Sequence, residues 1–222
     1  MIDLHTHTIW SDGALIPSEH IRRAMMKGCT VIGITDHADS SNIDTLCRES
    51  IKFADNVNQI QKDIIVIPGV ELTHVLPKEM KELTDYAREN GMKLIVVHGE
   101  TVVEPVRKGT NLAAIEAKVD ILAHPGFITE DEMKLARDNN VCIEITARKG
   151  HSLTNGYVAA LASKVGAKMV INTDTHLPDD FIDDEFAEKV LLGCGLNIEQ
   201  ARQVKDNSKE LVARLLNNKM GK

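Results

Sequence analysis

Short apolar runs in this chain end repeatedly on histidine or a carboxylate. The runs are MIDLHTH, VIGITDH, IIVIPGVE, LIVVH, ILAH and MVINTDTH. Packing gives a soluble protein no reason to finish strand after strand with such groups, because burying them unpaired costs free energy. In a parallel barrel, however, all strand ends meet at one mouth, where the sites of such folds are built. The pattern therefore predicts a metal cluster at a barrel mouth. We call its members the nine-residue set: His5, His7, Asp12, His37, Glu71, His98, His124, Asp174 and His176.

Strand-like and helix-like segments alternate along the chain. The strand candidates are rich in Val and Ile and continuously apolar, which is typical of parallel strands buried on both faces. They are residues 1–5, 30–36, 64–71, 93–98, 119–124, 141–146 and 168–173. The helix candidates are residues 17–27, 43–62, 79–90, 129–139, 155–165, 183–192, 197–204 and 207–218.

Seven such units favour a closed or nearly closed α/β barrel of parallel strands. A doubly wound open sheet is the alternative, but it gathers its site at one switch point, whereas here nearly every strand ends in a ligand type. The 222 residues contain no linker or low-complexity stretch, so we expect a single domain over residues 1–222.

Charge and cysteine usage exclude several classes of protein. The net charge of −7 disfavours general nucleic-acid binding, although local cations can still form a small phosphate pocket. The four cysteines form no C-x-x-C pair, which predicts neither a thiolate zinc site nor a disulfide framework. Together with the absence of a signal-like or membrane-spanning run, this favours a cytoplasmic location.

The spacing of the first two histidines points to metal binding. In extended backbone, His5 and His7 project to the same side and can hold one ion. Asp12, in the loop that follows, can reach the same cavity. Imidazole and carboxylate ligands suit zinc, manganese or iron, and nine of them predict two or three divalent ions.

The ordered motifs H-x-H, SerAspGly, ThrAspHis, GlyValGlu, His, HisProGly and Asp-x-His resemble the polymerase and histidinol phosphatase (PHP) family. The resemblance runs from Met1 to His176 and implies a distorted (βα)7 TIM-like barrel with up to three metal ions. Some members have histidine where Asp12 stands. The implied ligands are His5, His7, Glu71 and Asp174 for the first ion, Asp12, His37 and His176 for the second, and Glu71, His98 and His124 for the third.

The leading functional hypothesis is a stand-alone phosphoesterase acting on a small phosphate monoester, as histidinol phosphatases do. Neighbouring ions can share a hydroxide for attack and neutralise charge on the phosphoryl group. A nuclease or exonuclease of the same family is the first alternative, but it needs a cationic track that the sequence lacks. An amidohydrolase would leave Asp12, His37 and His176 unexplained. A structural zinc site would need only about four ligands.

Cations near the mouth are candidates for holding substrate phosphate. Arg148 and Lys149 follow the strand VCIEIT, and members resembling this chain carry a similar Arg-Lys-Gly there. Arg107 and Lys108 follow the His98 strand and form a second candidate clamp.

Other polar residues have less distinctive positions. Glu144 is interpreted as a ligand support, a contact for a substrate amine or a buried barrel residue. Asp36 should face away from His37 and act as a support or structural residue. His20 is interpreted as a surface or packing residue, and His74 as an idle loop histidine.

Overall fold

Parallel strands form the centre of the fold. A computed structural model describes residues 1–217, and all of its strand pairs are parallel. The strands are β1 (Ile2–Asp3), β2 (Val31–Ile34), β3 (His37–Ala38), β4 (Ile65–Leu72), β5 (Leu94–His98), β6 (Ile121–Ala123), β7 (Cys142–Thr146) and β8 (Met169–Asn172).

These segments occupy seven positions, because β2 and β3 are successive parts of one strand. Ile34 pairs with Pro68 and His37 pairs with Glu71, so both segments run along β4. The neighbours are then β1, β2, β4, β5, β6, β7 and β8 in sequence order. That order is expected for a barrel and not for a doubly wound sheet, whose order reverses.

The first and last strands meet and nearly close the ring. The amide of His7 donates to the carbonyl of Thr175 at 2.9 Å, and the amide of Asp174 donates to the carbonyl of His5 at 2.9 Å. These bonds lie just beyond β1 and β8, at the mouth. The predicted (βα)7 TIM-like barrel is therefore confirmed, and its closing hydrogen bonds involve members of the nine-residue set.

Helices cover the outside of the barrel. In the described residues they are α1 (Pro17–Met26), α2 (Ile43–Ile60), α3 (Met80–Glu89), α4 (Thr110–Glu116), α5 (Glu130–Asp138), α6 (Asn155–Val165), α7 (Asp184–Gly193) and α8 (Ile198–Asn217). None of these helices combines the length and apolarity needed to cross a membrane. The start of α5 is a capping box, in which Thr129 and Glu132 satisfy each other's backbone amides.

Two details of the helix prediction were wrong. α4 was not predicted, because seven residues give too little helical periodicity to recognise. α8 is continuous where two helices were expected, since Asn207 is buried and its side chain donates to the carbonyl of Met169. The predicted end at residue 218 lies outside the described residues.

The core is aliphatic. One cluster of buried side chains, which includes Leu4, Ile67, Leu94 and Val170, comes from the strands and packs with side chains of α8. A larger cluster fills the space between the sheet and helices α2 to α8, and a third packs α1 against β2 and β4. This packing leaves the strand ends as the place where polar side chains concentrate.

Candidate metal centre at the barrel mouth

His5 and His7 lie in the extended segment that follows β1, and both are fully buried. Between them, the hydroxyl of Thr6 donates to the carbonyl of Gly33 at 2.7 Å and holds this segment against β2. The i, i+2 spacing then turns both imidazoles to one side, with ring centroids 5.1 Å apart.

The first group of ligand atoms lies between β1, β4 and the end of β8. His5 Nε2 lies 3.1 Å from Glu71 Oε1, and His7 Nε2 lies 3.2 Å from Asp174 Oδ1. His5 Nε2 also lies 3.7 Å from Asp174 Oδ1. Strands that are distant in sequence therefore bring two imidazoles and two carboxylates to one point.

The second group is nearer to solvent. Asp12 Oδ1 lies 3.3 Å from His37 Nε2 and 3.2 Å from His176 Nε2. The Asp12 loop folds back so tightly that a side chain at Gly13 would place its Cβ 2.3 Å from the carbonyl oxygen of His7. Glycine is therefore required after Asp12, which explains the SerAspGly motif in structural terms.

The third group continues from Glu71 to the next two strands. Glu71 Oε1 lies 3.4 Å from His98 Nδ1 and 3.6 Å from His124 Nε2. His124 and Asp174 both adopt positive φ, at 27° and 54°, although neither is glycine. Such strained conformations persist where surrounding structure enforces them, and they concentrate at functional sites.

The buried ligand atoms lack hydrogen-bond partners. Atoms that lie deep in the site without a hydrogen bond include His5 Nε2, Glu71 Oε1 and both ring nitrogens of His7, His98 and His124. Some of them approach a carboxylate within ion-pair distance, but without hydrogen-bonding geometry. Buried polar atoms are normally satisfied, and leaving one orphaned costs about 1–3 kcal/mol. The donor set and its unmet bonding capacity fit divalent zinc, manganese or iron.

Electrostatics within the site are strongly coupled. Burial would raise the pKa of Glu71, but the nearby His5, His37 and His98 outweigh burial and hold that pKa well below its usual range. Burial raises the pKa of Asp174 to about 7, and burial together with His37 lowers the pKa of His7 well below its usual range. Cations bound here would favour the deprotonated ligands.

Glu144 supports His5 from beneath the site. Its Oε2 lies 2.7 Å from His5 Nδ1 and accepts from the side-chain amide of Asn172 at 3.0 Å. Its burial and these two contacts favour the role of a ligand support over that of a contact for a substrate amine. A carboxylate on the far nitrogen of a ligand imidazole fixes the ring orientation and its tautomer.

We expect Glu144→Gln to lower metal affinity about 10- to 100-fold, the usual cost of losing such a support. The measurement is competition with a chromophoric chelator. The matched control is Glu199→Gln, because Glu199 is exposed on α8 and the substitution should leave affinity unchanged. Equal affinity of the Glu144 variant and wild type would show that His5 needs no such support.

Asp36 turns away from its neighbour His37, as alternation predicts. It accepts hydrogen bonds from the backbone amides of Thr8 and Ser11, at 2.8 and 3.0 Å. Asp36 therefore holds the loop that carries Asp12.

Two further histidines differ in their surroundings. His20 is buried and packs against Phe181, with ring centroids 4.8 Å apart, and burial lowers its pKa to about 4. It is therefore a packing residue and not a surface one. His74 is exposed at the mouth, but its Nε2 lies 3.5 Å from Glu104 Oε2, so it is not an isolated loop residue.

The cations predicted to hold substrate phosphate differ in whether their side chains are already paired. Arg148 Nη1 donates to Asp180 Oδ2 at 3.0 Å and to the carbonyl of Asp174 at 3.2 Å, whereas Lys149 is exposed. Arg107 and Lys108 are exposed just before α4. The structure therefore places Arg148 directly beside a member of the nine-residue set.

Sequence reasoning missed Glu104. Its Oε2 lies 3.2 Å from His98 Nε2, and its Oε1 lies 3.3 Å from His151 Nε2. It stands in a loop with no periodic pattern, so only the folded chain shows that its carboxylate reaches the site.

Comparison with known proteins identifies the family. The model of the PHP domain matches residues 3–219, nearly the whole chain. The chain therefore belongs to the PHP domain family.

Relatives extend along almost the same length. An uncharacterized protein of Methanocaldococcus jannaschii is 50% identical over 96% of this chain and 99% of its own. A probable phosphatase of Shewanella pealeana is 28% identical over 90% of this chain and 87% of its own.

Solved structures share the fold. Histidinol phosphate phosphatase of Lactococcus lactis, solved with zinc, L-histidinol and phosphate, matches with a TM-score of 0.62 and 14% identity over 88% of this chain and 94% of its own. A chain of archaeal ribonuclease P solved with mature tRNA matches with a TM-score of 0.70 and 17% identity over 96% of this chain and 90% of its own. At these identities the likeness concerns the fold alone.

Proposed function

We propose that this protein is a metal-dependent phosphoesterase that hydrolyses a small phosphate monoester, as histidinol phosphatases do. One observation carries the proposal: three groups of ligand atoms converge at the barrel mouth, and two of them share the carboxylate of Glu71. The similarity to a probable phosphatase supports the same activity.

Two or three divalent ions fit the site, and their ligands follow the three groups. The assignments are His5, His7, Glu71 and Asp174 for the first ion, Asp12, His37 and His176 for the second, and Glu71, His98 and His124 for the third. When bound, such ions lower the pKa of water and neutralise charge on a transferring phosphoryl group.

The chain's own residues keep this set in position. Glu71 faces His5 and the third group through Oε1, and its Oε2 lies 2.6 Å from His37 Nδ1, so one side chain connects all three groups. Glu144 orients His5, and Asp36 fixes the loop of Asp12. These supports limit the reorganisation needed when substrate binds.

Access is easiest at the second group. The side chain of Asp12 is 59% exposed and that of His37 is 25% exposed, whereas His5 and His7 are closed to solvent. A phosphate group coming from solvent therefore meets the second group first.

A small substrate agrees better with the mouth than a polynucleotide does. The candidate clamps are short pairs of cations on two separate loops. A polynucleotide would need a continuous cationic track along its backbone. Nuclease activity is the alternative, and a panel of phosphomonoesters tested beside a nucleic acid distinguishes the two.

The single-domain organisation and cytoplasmic location belong to the same proposal. The family match covers residues 3–219. Three cysteines are buried, all four are unpaired, and burial raises the pKa of Cys29 to about 12. Free thiols of this kind suit a reducing compartment.

The substrate assay is phosphate release from a panel of phosphomonoesters, including histidinol phosphate, after chelation and addition of Mn²⁺ or Zn²⁺. The proposal predicts metal-dependent release from at least one monoester. Cleavage of a nucleic-acid substrate with none of the monoesters hydrolysed would replace it with the nuclease alternative.

We expect Arg148→Ala to reduce kcat/KM about 10- to 150-fold without changing metal content. The magnitude is that of one charge-assisted contact, roughly 1.5–3 kcal/mol. Steady-state kinetics and elemental analysis provide the measurement. The control is Arg22→Ala, at an exposed position on α1, which should change the kinetics little. A kcat/KM within about twofold of wild type would show that Arg148 does not hold the phosphate, and Arg107 and Lys108 would then be the candidate clamp.

A further inference from the structure

Ligand-type side chains outside the nine-residue set meet at the edge of the mouth. We call His74, Glu104 and His151 the mouth cluster; they follow β4, β5 and β7. Glu104 Oε2 lies 3.5 Å from His74 Nε2, and Glu104 Oε1 lies 3.3 Å from His151 Nε2. Three loops thus bring two imidazoles to one carboxylate.

A buried histidine faces this cluster without a hydrogen-bond partner. His98 Nε2 lies 3.2 Å from Glu104 Oε2, while its Nδ1 faces Glu71. The His98 side chain is only 4% exposed, and neither of its ring nitrogens makes a hydrogen bond. Ligand atoms of His74, His98 and Glu104 all lie within 4.8 Å of one another, a spacing that suits a single ion.

Local contacts orient the imidazole rings of His151 and His74. Nδ1 of His151 is hydrogen-bonded to the Thr101 hydroxyl at 2.8 Å, which leaves Nε2 as the nitrogen available to a cation. His74 adopts φ 54°, and this backbone conformation accompanies the approach of its ring to Glu104.

We propose that the mouth cluster binds one divalent transition-metal ion, with zinc as the best match, in addition to the ions of the nine-residue set. Two imidazoles and a carboxylate match catalytic-type zinc sites, which keep a further position for water or substrate. The side chains of His74 and Glu104 are 46% and 38% exposed, so the open position faces solvent. This inference goes beyond the proposed function and does not rest on it.

Binding here would link the loop of His74 to the loops after β5 and β7, which already touch through Thr101 and His151. Val103, next to Glu104, already lies against the Gly150 backbone, where an added Cβ would stand 3.6 Å from its methyl groups. His98 faces Glu71 through Nδ1 and Glu104 through Nε2, and a neutral imidazole can give its lone pair to only one ion, so an ion at one site would turn the N–H of His98 toward the other. The ion would therefore set the shape of the rim that the organic part of a substrate contacts.

The test uses the full-length protein, chelated and then dialysed against excess Zn²⁺, with metal per chain measured by elemental analysis. We expect His74→Ala and Glu104→Gln each to hold one zinc ion fewer than wild type. Glu199→Gln is the matched control and should hold the wild-type number. His74→Asp should also keep the ion, because aspartate supplies a ligand oxygen and tolerates positive φ. Titration with Co²⁺ should show the same loss of one set of absorption bands.

Two outcomes would overturn the inference. Wild-type metal content in both His74→Ala and Glu104→Gln would mean that Glu104 merely accepts hydrogen bonds from imidazoles. Loss of all ions from both variants, with the fold intact by circular dichroism, would mean that the cluster only supports the nine-residue set. The protein could also bind the ion at the mouth cluster and yet hydrolyse no phosphomonoester. That result would support this inference and reject the proposed function.

Discussion

Glu71→Gln is expected to remove most of the bound metal and to lower kcat/KM by more than about 1,000-fold. Removing one electrostatic stabilising group from a site costs on the order of 10²–10³-fold, and here several contacts are lost together. The carboxylate lies within 3.6 Å of a ring nitrogen of each of four histidines, which belong to all three ligand groups. Glutamine keeps the volume of glutamate but loses its charge.

Comparison with His124→Ala makes this prediction specific. His124 belongs to the third group alone in the proposed assignment, so its variant should lose at most one ion, whereas Glu71→Gln should lose two. Elemental analysis of both variants, with thermal unfolding as a check on folding, provides the measurement. If Glu71→Gln retained as much metal as wild type, the bridging role assigned to Glu71 would be wrong.

Chelation is expected to abolish phosphomonoester hydrolysis and to lower the melting temperature. Ligand present at about 100 times its Kd stabilises a protein by about 2.7 kcal/mol. For a chain of this length, each kcal/mol shifts Tm by about 2–4 °C, so loss of one such ion corresponds to about 5–11 °C. The buried, unpartnered nitrogens of His7, His98 and His124 are the physical reason for this dependence.

Adding different ions back to the chelated protein tests whether the site prefers transition metals or Ca²⁺. Zn²⁺, Mn²⁺ or Fe²⁺ should restore activity and Tm, whereas Ca²⁺ should not, because it prefers a shell of oxygen ligands. Calorimetry and phosphate release on the same preparations give both readouts. A chelated protein with unchanged Tm and full activity would show that the nine-residue set holds no functional metal.

The central part of this fold follows from local chemistry that can be read along the chain. Strand residues 94–97 are apolar on both faces, and helix starts such as Thr129 carry their own capping signals. These are short-range properties, so they predict where elements lie. Seven such units favoured a parallel barrel, and the family resemblance agreed with that count.

The short helix α4 and the continuous α8 show where local signals fail. α4 is too short for periodicity to identify it, and its first residues are fixed by contacts with the start of the loop that precedes it: Glu100 accepts from the backbone amides of Gly109 and Asn111. In α8, the polar Asn207 resembles an interruption until the barrel supplies its partner, the carbonyl of Met169.

The sequence by itself determined the residue types of the candidate metal centre, because strand ends rich in histidine and carboxylate have no other economical explanation in a parallel barrel. Only the tertiary structure decided what surrounds them. Glu144 reaches His5 across 139 positions of sequence, and Glu104 lies beside His151 from a different loop. Contacts of this kind depend on the closure of the ring and on the paths of its loops. No local pattern encodes them, since the hydrogen bonds and charges involved exist only once distant strands have paired.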